Sequence, residues 1–411
     1  MHLRLRYSSI SNLVNDEVAV AGPEFSAELE QFRHRVREHI AAHRPNLPRL
    51  PGTRSPDPAT MAEYRGWCAS LFNAGLLGGD WPQQWGGSGS ADPLRDYVVD
   101  QELAAAHLPR PVGAWNLVCG ALFGYGTPEQ QARYLPRIRN FDDLWCQLFS
   151  EPDAGSDLAA LRMTAVHDGD EWVVAGQKVW TTHAHVADLG LLLCRTDPDA
   201  RKHAGITALI VDMRTPGITV RPLREMTGSS DFNEVFFDEA RIPVRNTIGA
   251  PGEGWAIARA ALAHERSQSL REDSATAAVR RLVELTSDDG AALADAGRRR
   301  VLGRLYARSS VADLLGLEGV LKAAAGTTTV YDAPVVKVLF SETNLEISTY
   351  ALELFGPRGV VTAPADEALA GGHFQEAFLW ARGFTISAGS NEIMRNVIAE
   401  RGLGLPKGGA S

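Results

Sequence analysis

Cysteine is scarce and scattered in this chain of 411 residues. The four that occur, Cys68, Cys119, Cys146 and Cys194, form no CxxC pair. That spacing argues against a zinc site or a disulfide framework and for reduced thiols in the cytoplasm. Long apolar runs are missing as well: no stretch approaches the roughly 18 apolar residues that a membrane span needs. No apolar core of a signal peptide precedes Asp16 and Glu17, so residues 1–23 read as a mobile tail. Basic residues are outnumbered, 41 Lys and Arg against 50 Asp and Glu, and the net charge of −9 speaks against a nucleic-acid partner. The local run Arg298, Arg299, Arg300 reads as a solvated helix face. Also missing are GxSxG, HExxH and a GxGxxG that follows a strand, the marks of a nucleophilic hydrolase, a zinc protease and a dinucleotide fold.

What remains is a globular composition, 45 % hydrophobic and 22 % charged, too apolar for disorder and too long for a single core. Three textures succeed one another. Residues 24–143 are helical: Phe25, Leu29, Phe32, Val36 and Ile40 recur at the spacing of one helix face, and Pro- and Gly-rich breaks such as DWPQQWGGSGS interrupt the pattern. Residues 144–249 are β-rich. TAVHD, a turn at Gly169-Asp170 and EWVVAGQKVW predict a hairpin, and LGLLLC, ITALIVDM, GITVRPL and NEVFFDEARI add further strands toward a sheet or small barrel. Residues 250–405 return to long amphipathic helices that predict a bundle, followed by a short tail, 406–411. The expected fold class is α+β, in the order helical domain, β domain, helical bundle.

At the first change of texture stands FSEPDAGSD (149–157). Asp153 to Asp157 form a turn whose backbone amides and Ser156 hydroxyl can hold a polar ligand, although a plain connecting loop has the same composition. The run resembles the acyl-CoA dehydrogenase signature TEPGAGSD, with Ser150 for the Thr and Asp153 for the first Gly. Four more segments resemble that family in the same order: GTPEQQARYLPRI (126–138), GQKVWTTHAHVAD (176–188), MTGSSDFNEVFFDEARIPVRNTIG (226–249) and FTISAGSNEIMRNVIAERGLGLP (384–406). The resemblance implies a FAD-dependent enzyme that takes two hydrogens from the α and β carbons of an acyl thioester, on CoA or an acyl carrier protein. It further implies a homo-oligomer, commonly a tetramer, and an electron-transfer flavoprotein as acceptor.

Such chemistry requires a base for the α proton, hydrogen bonds for the developing enolate and a flavin for the β hydride. By resemblance, the flavin contacts are Ser150, Ser156, Trp180, Thr181 and Thr182, with Trp180 packed on the isoalloxazine and the Thr182 hydroxyl near N5. Taken alone, Trp180 would read as an inward-facing strand aromatic. By the same resemblance Gly389, Ser390 and Asn391 would be further contacts, and a small-residue turn would let backbone approach a ligand. Ser156 also serves the substrate.

In many members of the family the base is the Glu just before the Gly of EGTSEI. Here that place is Ala388. A branch that includes isovaleryl-CoA dehydrogenase, and resembles actinobacterial-type relatives, takes its Glu from an ER pair on an earlier helix. Glu265-Arg266 is that pair here. Glu265 follows Ala261 by four residues and Leu262 by three, so it shares an apolar face on which its pKa would rise toward the working pH. Arg266 would contact the thioester carrier. Two alternatives stay open: a flavin oxidase or N-oxygenase of the same superfamily, and a FAD-poor subunit of a heteromeric dehydrogenase.

Overall fold

A computed structural model describes residues 25–47, 57–89, 92–111, 113–268, 275–287, 294–362 and 365–407, except for the side chains of 263–268 and 287. The tail expected over residues 1–23 lies outside the described residues. The first region is helical: α1 (Ala27–His43), α2 (Met61–Asn73), α3 (Pro93–Ala105), α4 (Trp115–Tyr125) and α5 (Pro128–Arg139). In α1 the stripe Leu29, Phe32, Val36 and Ile40 is buried, as its spacing requires, and Ser26 caps the first turn by accepting from the Leu29 amide at 3.2 Å. The segment GTPEQQ acts as a joint. Thr127 and Gln130 form a reciprocal capping box at the start of α5. The Gln130 amide then donates to the carbonyls of Arg245 (2.9 Å) and Thr247 (2.8 Å), tying the helices to the β region.

The β region is one sheet of β1 (Trp145–Leu148), β2 (Thr164–Asp168), β3 (Glu171–Thr182), β4 (Leu189–Arg195), β5 (Ile206–Asp212), β6 (Ile218–Pro222), β7 (Phe232–Pro243) and β8 (Thr247–Ile248). Its order is β6-β7-β3-β2-β4-β5-β8, with β1 parallel to β4 off that path. The predicted hairpin is present: β2 and β3 are antiparallel, closing at Asp168 opposite Glu171. The β-rich runs downstream become β5, β6 and β7, with the short β8 completing the edge. The interior holds Cys146, Leu148, Val174, Leu192, Leu209, Val211, Val235 and Phe237, all buried. Cys68, Cys119, Cys146 and Cys194 are buried free thiols.

The third region contains α6 (Gly254–Gln268), α7 (Ala275–Ser287), α8 (Ala296–Ala324), α9 (Asp332–Phe355), α10 (His373–Ile386) and α11 (Asn391–Val397). Helix α6 is set apart from the bundle, because Ile257, Ala258 and Ala261 bury into the core shared by the N-terminal helices and one sheet face. Gly254 permits its start: a Cβ there would lie 2.6 Å from the Thr207 backbone. A third core of Val279, Leu282, Leu302, Leu305, Ile347 and Phe374 joins α7 to α10. Among the described residues, no helix is long and apolar enough to cross a membrane. Arg298, Arg299 and Arg300 are exposed on α8, as a solvated face would be.

Candidate active site

The turn after β1 is closed by two backbone hydrogen bonds between Glu151 and Ala154, each 3.1 Å, around Pro152 and Asp153. A buried ion pair holds it down. The Glu151 carboxylate accepts from the amides of Arg162 (2.6 Å) and Met163 (3.0 Å) and from Lys178 Nζ (2.8 Å). Lys178 has no exposed surface and also donates to the Phe149 carbonyl at 2.9 Å. Burial pulls the Lys178 pKa below its ordinary value, and the Glu151 charge opposes that pull. The Val179 amide adds a third tie, to the Ser150 carbonyl at 2.9 Å. The turn is thereby fastened to β3, while Asp153, Gly155, Ser156 and Asp157 stay exposed. Sequence reasoning passed over both Glu151 and Lys178. β3 also carries Glu171, Gln177, Thr181 and Thr182, so its lysine gave no local signal of burial.

Strand β3 carries the next group through a bulge. Lys178 pairs with Val235 and Thr181 with Asn233, so two residues of β3 stand opposite one residue of β7. The extra residue inverts the alternation. Val174 and Lys178 are buried before it, Thr181 and His183 after it. Trp180, which shares the parity of Lys178, is sent outward instead: it is 62 % exposed, with a left-handed backbone of φ 59°. A core role for this indole is ruled out by that exposure. Thr182 is half-buried on the same stretch. Thr181 is buried, and its hydroxyl finds no hydrogen-bond partner among the described residues.

The C-terminal turn between α10 and α11 is made by two successive left-handed residues, Ala388 (φ 52°) and Gly389 (φ 91°). The left-handed backbone favours glycine at 389, and a Cβ there would also displace the flexible end of Met394, 2.5 Å away at Cε. Ala388 is exposed. The Ser390 hydroxyl caps α11 by accepting from the Ile393 amide at 3.4 Å. Asn391 is only 3 % exposed, and its side-chain oxygen accepts from Lys337 Nζ (2.7 Å) and Ser341 Oγ (3.0 Å) on α9. That oxygen is engaged with the bundle, which makes Asn391 an anchor for the turn. Sheet and bundle meet where the Phe232 ring stacks on Trp380 of α10, centroids 5.7 Å apart.

Glu265 and Arg266 lie on α6, one turn beyond the buried Ala261, and their side chains fall outside the described residues. The structure links the Ser150 end of the turn to β3 through the Val179 amide, and links Trp180 through Phe232 to Trp380 of α10.

Three family descriptions match the chain in succession: the acyl-CoA dehydrogenase N-terminal domain over 26–142, the middle domain over 146–240 and the C-terminal domain over 252–403. The chain is similar to acyl-CoA dehydrogenase IpdE1 of Mycobacterium tuberculosis, 38 % identical over 390 residues that span 92 % of this chain and 98 % of that protein. Among solved structures it resembles the Tcur3481–Tcur3483 steroid ACAD (TM-score 0.80, 28 % identity, 93 % of this chain and 99 % of that one). It also resembles the ChsE4–ChsE5 complex from Mycobacterium tuberculosis (TM-score 0.78, 29 % identity, 93 % and 99 %). The chain belongs to the acyl-CoA dehydrogenase family and is a FAD-dependent oxidoreductase that carries out the α,β-dehydrogenation of acyl-CoA.

Proposed function

We propose that Glu265 is the base of this reaction and that Trp180, Thr181, Thr182, Ser150, Ser156, Gly389, Ser390 and Asn391 form the FAD site. The observation that carries the proposal is the outward indole of Trp180. A large flat apolar ring is held in the open by a bulged strand whose Val179 amide is tied to Ser150, and no hydrogen bond among the described residues engages the Ser150, Ser156 and Thr182 hydroxyls. An exposed apolar plate on a strand that also offers unengaged hydroxyls suits a flavin ring system. FAD, when bound, accepts the β hydride of the acyl group.

The rest of the chemistry belongs to the chain. Glu265 takes the α proton, so proton and hydride together leave the 2-enoyl thioester. Its place one turn past Ala261, near the half-buried Leu262, supports an apolar setting in which a carboxylate binds a proton more readily. Ala388 offers no carboxylate at the C-terminal turn. Arg266 meets the CoA moiety and Ser156 the substrate. Domain boundaries at 24–143, 144–249 and 250–405 accord with the changes of secondary structure.

The likeness to a steroid ACAD supports an acyl group bearing bulky rings. We further propose a homo-oligomer in the cytoplasm that passes electrons to an electron-transfer flavoprotein. The exposed Ile386, Leu403 and Leu405 at the C-terminal end support association. The ChsE4–ChsE5 complex, named for two chains, makes a mixed oligomer the alternative to be scored by light scattering. Anaerobic titration with a panel of acyl-CoA thioesters, read by flavin bleaching, tests the activity. In Glu265→Gln, bleaching should slow by about two to four orders of magnitude with FAD still bound. A wild-type rate in that variant would place the base elsewhere.

A further inference from the structure

Phe232, the first residue of β7, stands between two indoles. Its ring meets Trp180 edge-on, centroids 6.0 Å apart at 84°, and lies parallel to Trp380 at 5.7 Å and 9°. Trp380 in turn meets Phe384 edge-on at 6.1 Å, and Phe384 meets Phe340 of α9 at 5.8 Å. A run of aromatic rings thus leads from the bundle to the exposed indole. The backbone of Phe232 is fixed as well. Glu225 Oε1 accepts from the amides of Asp231 (2.8 Å) and Phe232 (3.2 Å), while Oε2 accepts from the Ser229 hydroxyl (3.2 Å).

Trp180 has far less support. It sits on a bulge with most of its surface open, and among the described residues Phe232 supplies its aromatic contact. Phe232 can define the plane of that indole only if its own ring cannot turn, and the flat face that prevents turning is Trp380. We propose that Trp380 is a positioning residue which, through Phe232, sets the plane that the Trp180 indole offers to the flavin. The proposal rests on the reading of Trp180 as the flavin-packing side chain. The Trp380 Nε1 hydrogen is buried with no acceptor among the described residues, so ring contacts and not a hydrogen bond locate this side chain. Phenylalanine at 380 therefore keeps what matters, and methionine fills much of the space without supplying a plane.

The test compares Trp380→Met, Trp380→Phe, Trp180→Leu and the Trp380→Met/Trp180→Leu double variant, each stripped of flavin and reconstituted with FAD. The readouts are the FAD Kd and the visible circular dichroism of the bound flavin. Trp380→Met should raise the Kd by about 3- to 10-fold and alter the flavin dichroism, and Trp380→Phe should restore both. In the Trp180→Leu background, Trp380→Met should have no further effect, because the indole it positions is gone. An equal effect of Trp380→Met in both backgrounds would overturn the proposal and leave Trp380 as packing alone. So would a wild-type Kd and spectrum in Trp380→Met while Trp180→Leu changes both. If Trp180→Leu itself changes neither, the reading of Trp180 fails and takes this inference with it.

Discussion

Replacing Lys178 by Met takes the cation out of a site where its partner cannot reach water. Glu151 is 8 % exposed and Lys178 not at all, so the carboxylate left behind stays buried with two amide donors in place of three groups. Breaking a buried pair by removing one member costs about 3–5 kcal/mol. The Arg162 and Met163 amides still satisfy part of the charge, which puts the expected loss near the lower end, about 3 kcal/mol. The damage should be local, since these bonds fasten one turn to one strand. Hydrogen exchange reads it directly: the Arg162, Met163 and Val179 amides should exchange roughly a hundredfold faster, with little change in α1 or α9. The FAD Kd should rise in step, because Ser150 and Ser156 ride on the loosened turn. Adding Glu151→Gln removes the stranded charge while keeping an acceptor for one amide, and should recover at least half of the protection. Unchanged exchange and unchanged FAD affinity in Lys178→Met would refute the idea that this pair holds the turn.

Other outcomes follow from the same geometry. Burial pushes the Cys194 thiol from its ordinary 9.0 up to about 12, so the folded chain keeps a proton that the unfolded chain loses. Its contribution is intact below pH 9 and is lost as pH rises toward 12, at ~1.4 kcal/mol per pH unit. Cys194→Ala should flatten the alkaline fall of the urea midpoint by that slope, and parallel curves for the two proteins would contradict the assignment. Asn391→Ala leaves the half-buried Lys337 and Ser341 without their shared acceptor and should cost about 1–3 kcal/mol in melting of the flavin-free protein. Asn391→Asp keeps the acceptor and adds a charge facing Lys337, so it should melt near the wild-type midpoint.

Features decided within a few residues of chain could be read before the fold was seen. The stripe on α1 and the turn that pairs Asp168 with Glu171 each depend on neighbours in sequence, where periodicity and turn chemistry act. Features decided by a distant partner could not. β1 is four residues long, and its pairing with β4 joins Trp145 to Leu189, a register that no local pattern announces. Lys178 looks like a polar position in a half-exposed strand until Glu151 is placed beneath it. The anchoring of Asn391 was likewise hidden, because Lys337 and Ser341, which donate to its side-chain oxygen, come from a helix far upstream.

Trp180 joins both kinds. Motif resemblance marked it as a cofactor residue, whereas strict strand alternation from Lys178 would have sent it inward. The structure resolves that conflict with one additional residue on β3. The bulge costs ladder bonding and holds a non-glycine residue at positive φ, a conformation that surrounding structure must stabilise. The ties around it supply that support: Lys178 to Glu151 before the bulge, Val179 to Ser150 within it and Thr181 to Asn233 after it. The buried pair and the outward indole are therefore one device. Weakening the first should release the second, which is why flavin affinity is expected to follow Lys178 even though that side chain has no exposed surface from which to touch a ligand.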